Sequence, residues 1–363
     1  MDCVAVYCGI PRLARVLWDL VKHIGFLSFG HWSDTPGSQV RTAADSLLQS
    51  VELAEAAEEL GADGAYFRVH HFANQLASPF PLLAAIGART SRIEIGTAVI
   101  DMRYENPLYM AEDAGAADLI AGHRLQLGIS RGSPEQVIDG WRYFGYEPPE
   151  GKDDADMARE HARVFLEVLG GQGFAQPNPR PMFPNPPGLL RVEPHSAGLR
   201  ERIWWGAASR ATAEWAAGKG MNLQSSTLVA NDSASGAGTP FHVTQAEHIQ
   251  AFKDAWSAAG HQRKPRISVS RSIFPLLDAR DRRYFGGRDD EDQVGFIDAQ
   301  TQAIFGRSYA AEPDKLVEQL RNDEAIAAAD TLLLTVPNQL GVDYNAHVVE
   351  NVLKHVAPAL GWR

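Results

Sequence analysis

From residue 23 onward, eight short runs rich in β-branched and aromatic residues alternate with longer segments of helical period. No other feature constrains the fold as much. Parallel strands cannot be joined by a tight hairpin, and a helix is the compact crossover between them. The runs are HIGFLSFGH (23–31), GAYFRVHHF (64–72), IEIGTAVID (93–101), RLQLGIS (124–130), RIWWGAA (202–208), NLQSST (222–227), RISVSRSIF (266–274) and TLLLTVP (331–337). Eight strand–helix units predict a closed (β/α)8 barrel, the TIM-barrel architecture. A doubly wound sheet usually has fewer strands and a Gly-rich first turn, and G-x-G-x-x-G is absent from this chain.

The helical segments fit the same scheme. Leu47, Leu48, Val51, Ala54 and Ala57 recur at spacings of three and four and predict a buried stripe; Met157, His161, Val164, Phe165 and Val168 predict another. Pro107 can open a helix that Gly122 stops. Two insertions break the rhythm. Residues 172–200 carry the proline cluster QPNPRPMFPNPPG before the fifth strand, and the charged residues 279–307 follow the seventh. In a barrel the second insertion emerges at the C-terminal face, where a mobile lid or a solvated loop both suit it. Residues 23–363 are expected to form a single barrel domain, with residues 1–22 as an appendage of uncertain order.

Composition narrows the function class. Hydrophobic residues at 45% and charged residues at 22% fit an ordinary globular chain, and a formal charge of -11 opposes a phosphate backbone, so a small-molecule partner is expected rather than nucleic acid. No apolar run reaches the roughly 20 residues that cross a bilayer, and Arg12, Arg15 and Asp19 interrupt the leader where a signal peptide would be apolar. Cys3 and Cys8 are the only cysteines. A cytoplasmic protein is expected.

Three stretches carry candidate chemistry. His70 and His71 end the second run; adjacent strand residues point to opposite sides, so they cannot chelate one metal together, but one can face the barrel mouth as an acid or base. No other histidines have metal-ligand spacing, so no metal is expected. WWGAASRATAEWAAGKG (204–220) puts Ser209 and Thr212 at a helix start, where free N–H groups and hydroxyls suit a phosphate, although S-x-x-T also serves as a simple cap. GISRG (128–132) places Arg131 at the end of the fourth strand. One rim thus gathers a histidine, an arginine and a hydroxyl-bearing helix start, which suits a phosphate-bearing cofactor beside a proton-transfer group.

The order of these motifs resembles the bacterial luciferase-like, flavin-dependent monooxygenase family. The resemblance runs from about residue 23 to the C-terminus and rests on GFLSFG, VHHF, IGTAVI, NPLYMAEDAGAADLIAGHRLQLGISRG and WWGAASRATAEWAA in combination. It implies a (β/α)8 barrel that binds reduced FMN (FMNH2) at its C-terminal mouth. His70 then matches the active-site histidine near the flavin's reacting edge, with His71 structural. GTAV matches the segment that supports the isoalloxazine ring, with a non-proline cis peptide expected between Ala98 and Val99 and a hydrogen bond from Thr97. Arg131 and Arg159 resemble two arginines directed at the cofactor's phosphate or ribose. Ser209 and Thr212 match the hydroxyl pair of the phosphate site, with backbone groups from Ala208 and Arg210. Val69 and Ala208 stand where the light-emitting enzyme has glutamates, so light emission is not implied.

The activity implied is that of a monooxygenase that receives reduced FMN from a separate flavin reductase and transfers one atom of O2 to a small organic substrate. A reductase using the deazaflavin F420 and a flavin-binding protein without turnover are the alternatives. Substrate contacts are expected from His31 and Trp32, from Met102 to Tyr104, and from the 279–307 insertion. The resemblance also implies a homodimer, to which LLAAIGART (82–90) could contribute, although packing against the chain's own barrel accounts for the same alanines.

Overall fold

The computed structural model describes residues 21–363 except 133–135, 231, 234–235, 237, 288–290 and 297–301. The expectations for residues 1–20, Cys3 and Cys8 included, lie outside the described residues.

Eight parallel strands close the predicted barrel: β1 (His23–Ser28), β2 (Gly64–Phe67), β3 (Glu94–Asp101), β4 (Leu125–Ser130), β5 (Ile203–Ala207), β6 (Asn222–Ser225), β7 (Ile267–Arg271) and β8 (Thr331–Val336). Each falls within one of the eight runs. The ring closes where β1 pairs β8, with Phe26 opposite Leu334 on one side and Ala65 of β2 on the other. Almost every strand residue is buried, as expected when helices cover one face and the barrel interior the other.

The helices that cover the barrel include α1 (Ala43–Glu59), α2 (Pro79–Arg89), α3 (Pro107–Ile120), α4 (Asp154–Leu169), α5 (Arg210–Gly218), α6 (Phe241–Ala258), α7 (Pro313–Arg321) and α8 (Gly341–Asn351). Local chemistry sets their starts. Thr42 and Asp45 exchange side-chain and backbone bonds in a capping box before α1, and Asn106 accepts from Leu108 and Tyr109 N–H groups with Pro107 at the first position of α3. In α2, Leu82, Leu83, Ile86 and Gly87 are buried. The stripe expected on α1 is out of phase. Leu47 and Leu48 are exposed, and Ser46 and Ser50 face inward with Leu53, Ala54 and Ala57. The serines tolerate burial because Ser46 Oγ donates to Gly30 O (2.8 Å) and Ser50 Oγ to Ser46 O (2.6 Å).

The excursion before β5 is ordered and tied down. Ala175 bridges Leu190, and the Glu193–Pro194 peptide is cis. Buried Asp118 on α3 accepts from Ser196 Oγ (2.5 Å) and from both terminal nitrogens of Arg202 (2.7 and 2.9 Å). Gly115, one turn earlier on α3, lies so close to this segment that a Cβ would come within 1.9 Å of Pro194 O. A second buried ion pair ties the far side: Arg271 donates to Asp323 (2.8 and 3.0 Å), which also accepts from Tyr309 Oη (2.7 Å).

The insertion after β7 begins with a strand Ile273–Pro275 and a short helix Ala279–Phe285, then forms strands Gln293–Phe296 and Gln302–Phe305. The second of these pairs antiparallel with Leu228–Ala230, a short strand just after β6. Two loops distant in sequence therefore share one small sheet. Residues 288–290 and 297–301 of the expected lid are outside the described residues.

Candidate active site

The C-terminal mouth opens into a cavity of about 750 Å³, within the roughly 300–1,000 Å³ typical of small-molecule sites. β2 ends at Phe67, earlier than the run suggested, so His70 lies in the following loop, where its N–H donates to Leu76 O (2.9 Å). His70 lines the cavity. His71 does not: its buried ring stacks on Tyr104 with centroids 4.0 Å apart, and Phe144 meets it edge on.

Next to His70, Arg68 also lines the cavity and lays its guanidinium 4.8 Å over the Phe29 ring. His31 stacks on the same ring at 5.8 Å. Burial, then the nearby charges of Arg68 and His70, hold the His31 imidazole below its usual pKa. Neither His31 nor Trp32 is among the cavity-lining residues.

The ladder between β3 and β4 shifts between Thr97 and Ile100, the irregular step that brings Ala98 and Val99 to the cavity wall. The Ala98–Val99 peptide is cis, as the motif implied. Thr97 is placed differently from expectation. Its buried hydroxyl donates to Gly128 O (2.8 Å), within the barrel, because the side chain belongs to the regular part of the ladder.

Arg131, Arg159, Ala208, Ser209 and Thr212 line the same cavity. Ser209 and Thr212 close a capping box at the start of α5, their hydroxyl oxygens 3.0 Å apart. Arg159 reaches this helix from α4, its guanidinium 5.9 Å from the Trp215 ring. Arg210 stands beside the cavity, its exposed guanidinium paired with Glu214 (3.0 Å) and its N–H directed at Asp232 (3.4 Å). The five therefore converge, with Arg210 present through its backbone at the helix start.

Met102, Arg103 and Tyr104 are not substrate contacts at the mouth, because the chain folds back after β3 and buries all three. Met102 joins the core, Tyr104 packs under His71, and Arg103 pairs with Asp101. Asp101 is a residue sequence reasoning missed. It lines the cavity yet is 2% exposed, and Arg103 donates to both its oxygens (2.6–3.1 Å). Burial disfavours the charge on Arg103, but Asp101 and Asp154 outweigh it and hold the guanidinium above its usual pKa. Nearby Glu105 is pushed up to about 7 by burial and by the charges of Asp101 and Asp113.

The wall has the make-up of a cofactor site. One part offers guanidinium groups, hydroxyls and a helix start, which suit a dianionic phosphate; another offers Leu27, Phe29, Ala98, Val99 and Leu333, which suit a flat aromatic ring. Two lining residues, Trp205 and Gln224, each keep one buried polar atom (Nε1 and Oε1) with no partner among the described residues. Such atoms are costly unless something bonds to them. Among the described residues, no helix is long and apolar enough to cross a membrane.

Comparison with known proteins agrees. The alkanal monooxygenase alpha chain of the Kryptophanaron alfredi symbiont is 25% identical over 214 residues, 57% of this chain and 56% of that protein. An F420-dependent glucose-6-phosphate dehydrogenase from Tsukamurella paurometabola is 33% identical over 128 residues, 34% of this chain and 38% of that protein. The first curated relatives are matched over about half their own length. The oxygenating constituent of 3,6-diketocamphane monooxygenase from Pseudomonas putida, solved in complex with FMN, superposes with a TM-score of 0.66 over 93% of this chain and 99% of that one at 17% identity, a likeness of fold. The family model for luciferase-like monooxygenases matches residues 23–283. This match covers most of the chain, and with the closed barrel and the composition of its mouth it leads to one conclusion: the chain belongs to the luciferase-like monooxygenase family.

Proposed function

We propose that this protein is a flavin-dependent monooxygenase that uses reduced FMN and O2 to oxygenate a small organic substrate, with the reduced flavin delivered by a separate reductase and the chain acting as a homodimer. The observation that carries the reading is the convergence of Arg131, Arg159, Ser209 and Thr212 on one cavity that also holds His70.

Bound there, reduced FMN supplies the electrons that activate O2. The guanidinium groups of Arg131 and Arg159 hold the phosphate by charge, and the Ser209 and Thr212 hydroxyls and the N–H groups of the first turn of α5 orient it. Ala208 and Arg210 contribute through the backbone. Ala98 and Val99 would support the ring, with Thr97 held behind them: its hydroxyl donates to Gly128 O and its carbonyl accepts from Gln224 Nε2 (3.0 Å). His70, which lines the cavity, would give or take a proton through an imidazole nitrogen, a task that this residue type suits. Apolar neighbours such as Leu27, Phe29 and Leu333 exclude water from that end.

F420 is the second reading, favoured by the resemblance to an F420-dependent dehydrogenase. The deciding experiment reconstitutes the protein with each cofactor, records its absorbance, and measures oxygen uptake with enzymatically reduced FMN across aldehydes, ketones, terpenes and sulfonates. Substrate-dependent O2 consumption with FMN is the expected result. Binding of F420 alone, or of neither cofactor, overturns the proposal.

A further inference from the structure

Arg103 is not among the residues that line the cavity, yet it joins α4, which carries Arg159, to the end of β3, the strand paired with the one that leads into Arg131. Three of its guanidinium's neighbours among the described residues matter here. Nε and Nη2 donate to Asp101 at the end of β3 (2.6–3.1 Å), Nη1 donates to Asp154 in the first turn of α4 (3.0 Å), and one face covers the Trp141 ring at 4.7 Å. The side chain is only 8% exposed.

On the Asp101 side, the contact reaches Arg131. Asp101 sits opposite Ser130 in the β3–β4 register, and Met102 N–H donates to Ser130 O (2.9 Å), so the two strand ends are locked together. The chain leaves β4 through Arg131 and Gly132, where Gly132 N–H donates to Ser130 Oγ (2.7 Å). Gly132 has φ +87°, and a Cβ there would fall 2.0 Å from Asp101 Oδ2 and 2.6 Å from Arg103 Nη2. The backbone beside Arg131 therefore rests directly on the ion pair. On the Asp154 side, the contact reaches Arg159, which follows about one and a half turns along the same helix.

We infer that Arg103 is a positioning residue for the anion end of the site: by clamping Asp101 and Asp154 it fixes the spacing between Arg131 and Arg159 and cancels the negative charge of Asp101 beside the phosphate. The inference rests on the flavin reading above. It separates two contributions to affinity, since only the phosphate should sense this clamp, whereas the ring is held elsewhere.

The test compares FMN with riboflavin, which lacks the phosphate, by fluorescence titration of the oxidised flavins against wild type, Arg103→Lys, Arg103→Met and Asp154→Asn. Lysine keeps the charge without the planar fork, and Asp154→Asn weakens only the tether to α4, by removing its charge while leaving an oxygen that can still accept. Outer-shell partners of metal ligands cost roughly 10–100-fold when lost; on that scale FMN affinity should fall by at least about tenfold in Arg103→Met while riboflavin affinity stays within about twofold. Arg103→Lys and Asp154→Asn should show a smaller fall with the same selectivity. Circular dichroism and thermal melts confirm that each variant is folded; if Arg103→Met does not fold, the two milder variants decide. An unchanged FMN-to-riboflavin ratio in folded variants overturns the inference, as does an equal loss for both ligands. Failure of the wild type to bind either flavin overturns the flavin reading instead.

Discussion

His71 and Tyr104 lie face to face with ring centroids 4.0 Å apart, and this stack builds one histidine of the pair into the wall while its neighbour lines the cavity. The two side chains therefore have separable effects. Replacing His70 by Ala should leave flavin binding within about threefold but slow substrate oxygenation by roughly 10²–10⁴, the usual range for a lost acid or base. Replacing His71 by Ala should instead lower thermal stability. Steady-state oxygen uptake and melting curves of both variants check this, and a His70 variant with full activity would remove the residue from the mechanism.

The hydroxyl of Ser209 has two jobs in this reading, capping α5 and orienting phosphate. Ser209→Ala should cost about 1 kcal/mol of stability, whereas Ser209→Gly should cost only a few tenths. Both should weaken FMN to a similar degree, because both lack the oxygen. Calorimetric titration paired with denaturant melts distinguishes the jobs; recovery of FMN affinity in the glycine variant would show that capping alone mattered.

Glu105 sets a pH dependence. Its carboxyl is pushed up to about 7 in the folded protein, so between its ordinary range near 4.5 and about 7 the folded state binds more protons than the unfolded chain. Stability therefore falls as pH rises through that window. Glu105→Gln should raise stability by about 1–2 kcal/mol at pH 8 and by little at pH 4.5. Melting temperatures of both proteins from pH 4.5 to 8 test the sign; a gain that is equal at all pH values would show that the charge is not responsible.

The Arg271–Asp323 pair is buried on both sides, so breaking it strands a charge. Asp323→Ala should destabilise the fold by about 3–5 kcal/mol. Arg271 and several hydrogen bonds, outweighing burial, keep the Asp323 carboxyl below its usual pKa. Its contribution is thus present above the ordinary carboxylate range and lost as pH falls through the depressed value. Urea midpoints near pH 7 and near pH 3 should differ less for the variant than for wild type.

The barrel was legible because strands buried on both faces must be written as continuous apolar runs, a pattern that few other folds need. The convergence of Arg131, Ser209 and Thr212 was legible for a related reason, since Arg131 directly follows β4, Ser209 and Thr212 open the helix just after β5, and strand ends in a barrel share one rim. Other features carried no such signal. Ser46 and Ser50 took the inner face of α1 by bonding to local carbonyls, which periodicity cannot reveal. Met102 to Tyr104 looked like mouth residues until the chain folded back on Asp101, and Asp101 itself is a single aspartate with nothing in its spacing to mark it. Arg68 is equally unmarked, although it lies two residues before His70.

The small sheet shared by Leu228–Ala230 and the Gln302–Phe305 strand bears on how such a protein could change what it accepts. Phe305 and Leu228 both border the cavity, and the main-chain bonds that join their strands couple them as one rim. A graft that replaced either stretch with a segment unable to continue the pairing would leave the other's buried amides without partners. New selectivity, whether by evolution or by engineering, would therefore need paired changes in segments some seventy residues apart in the sequence.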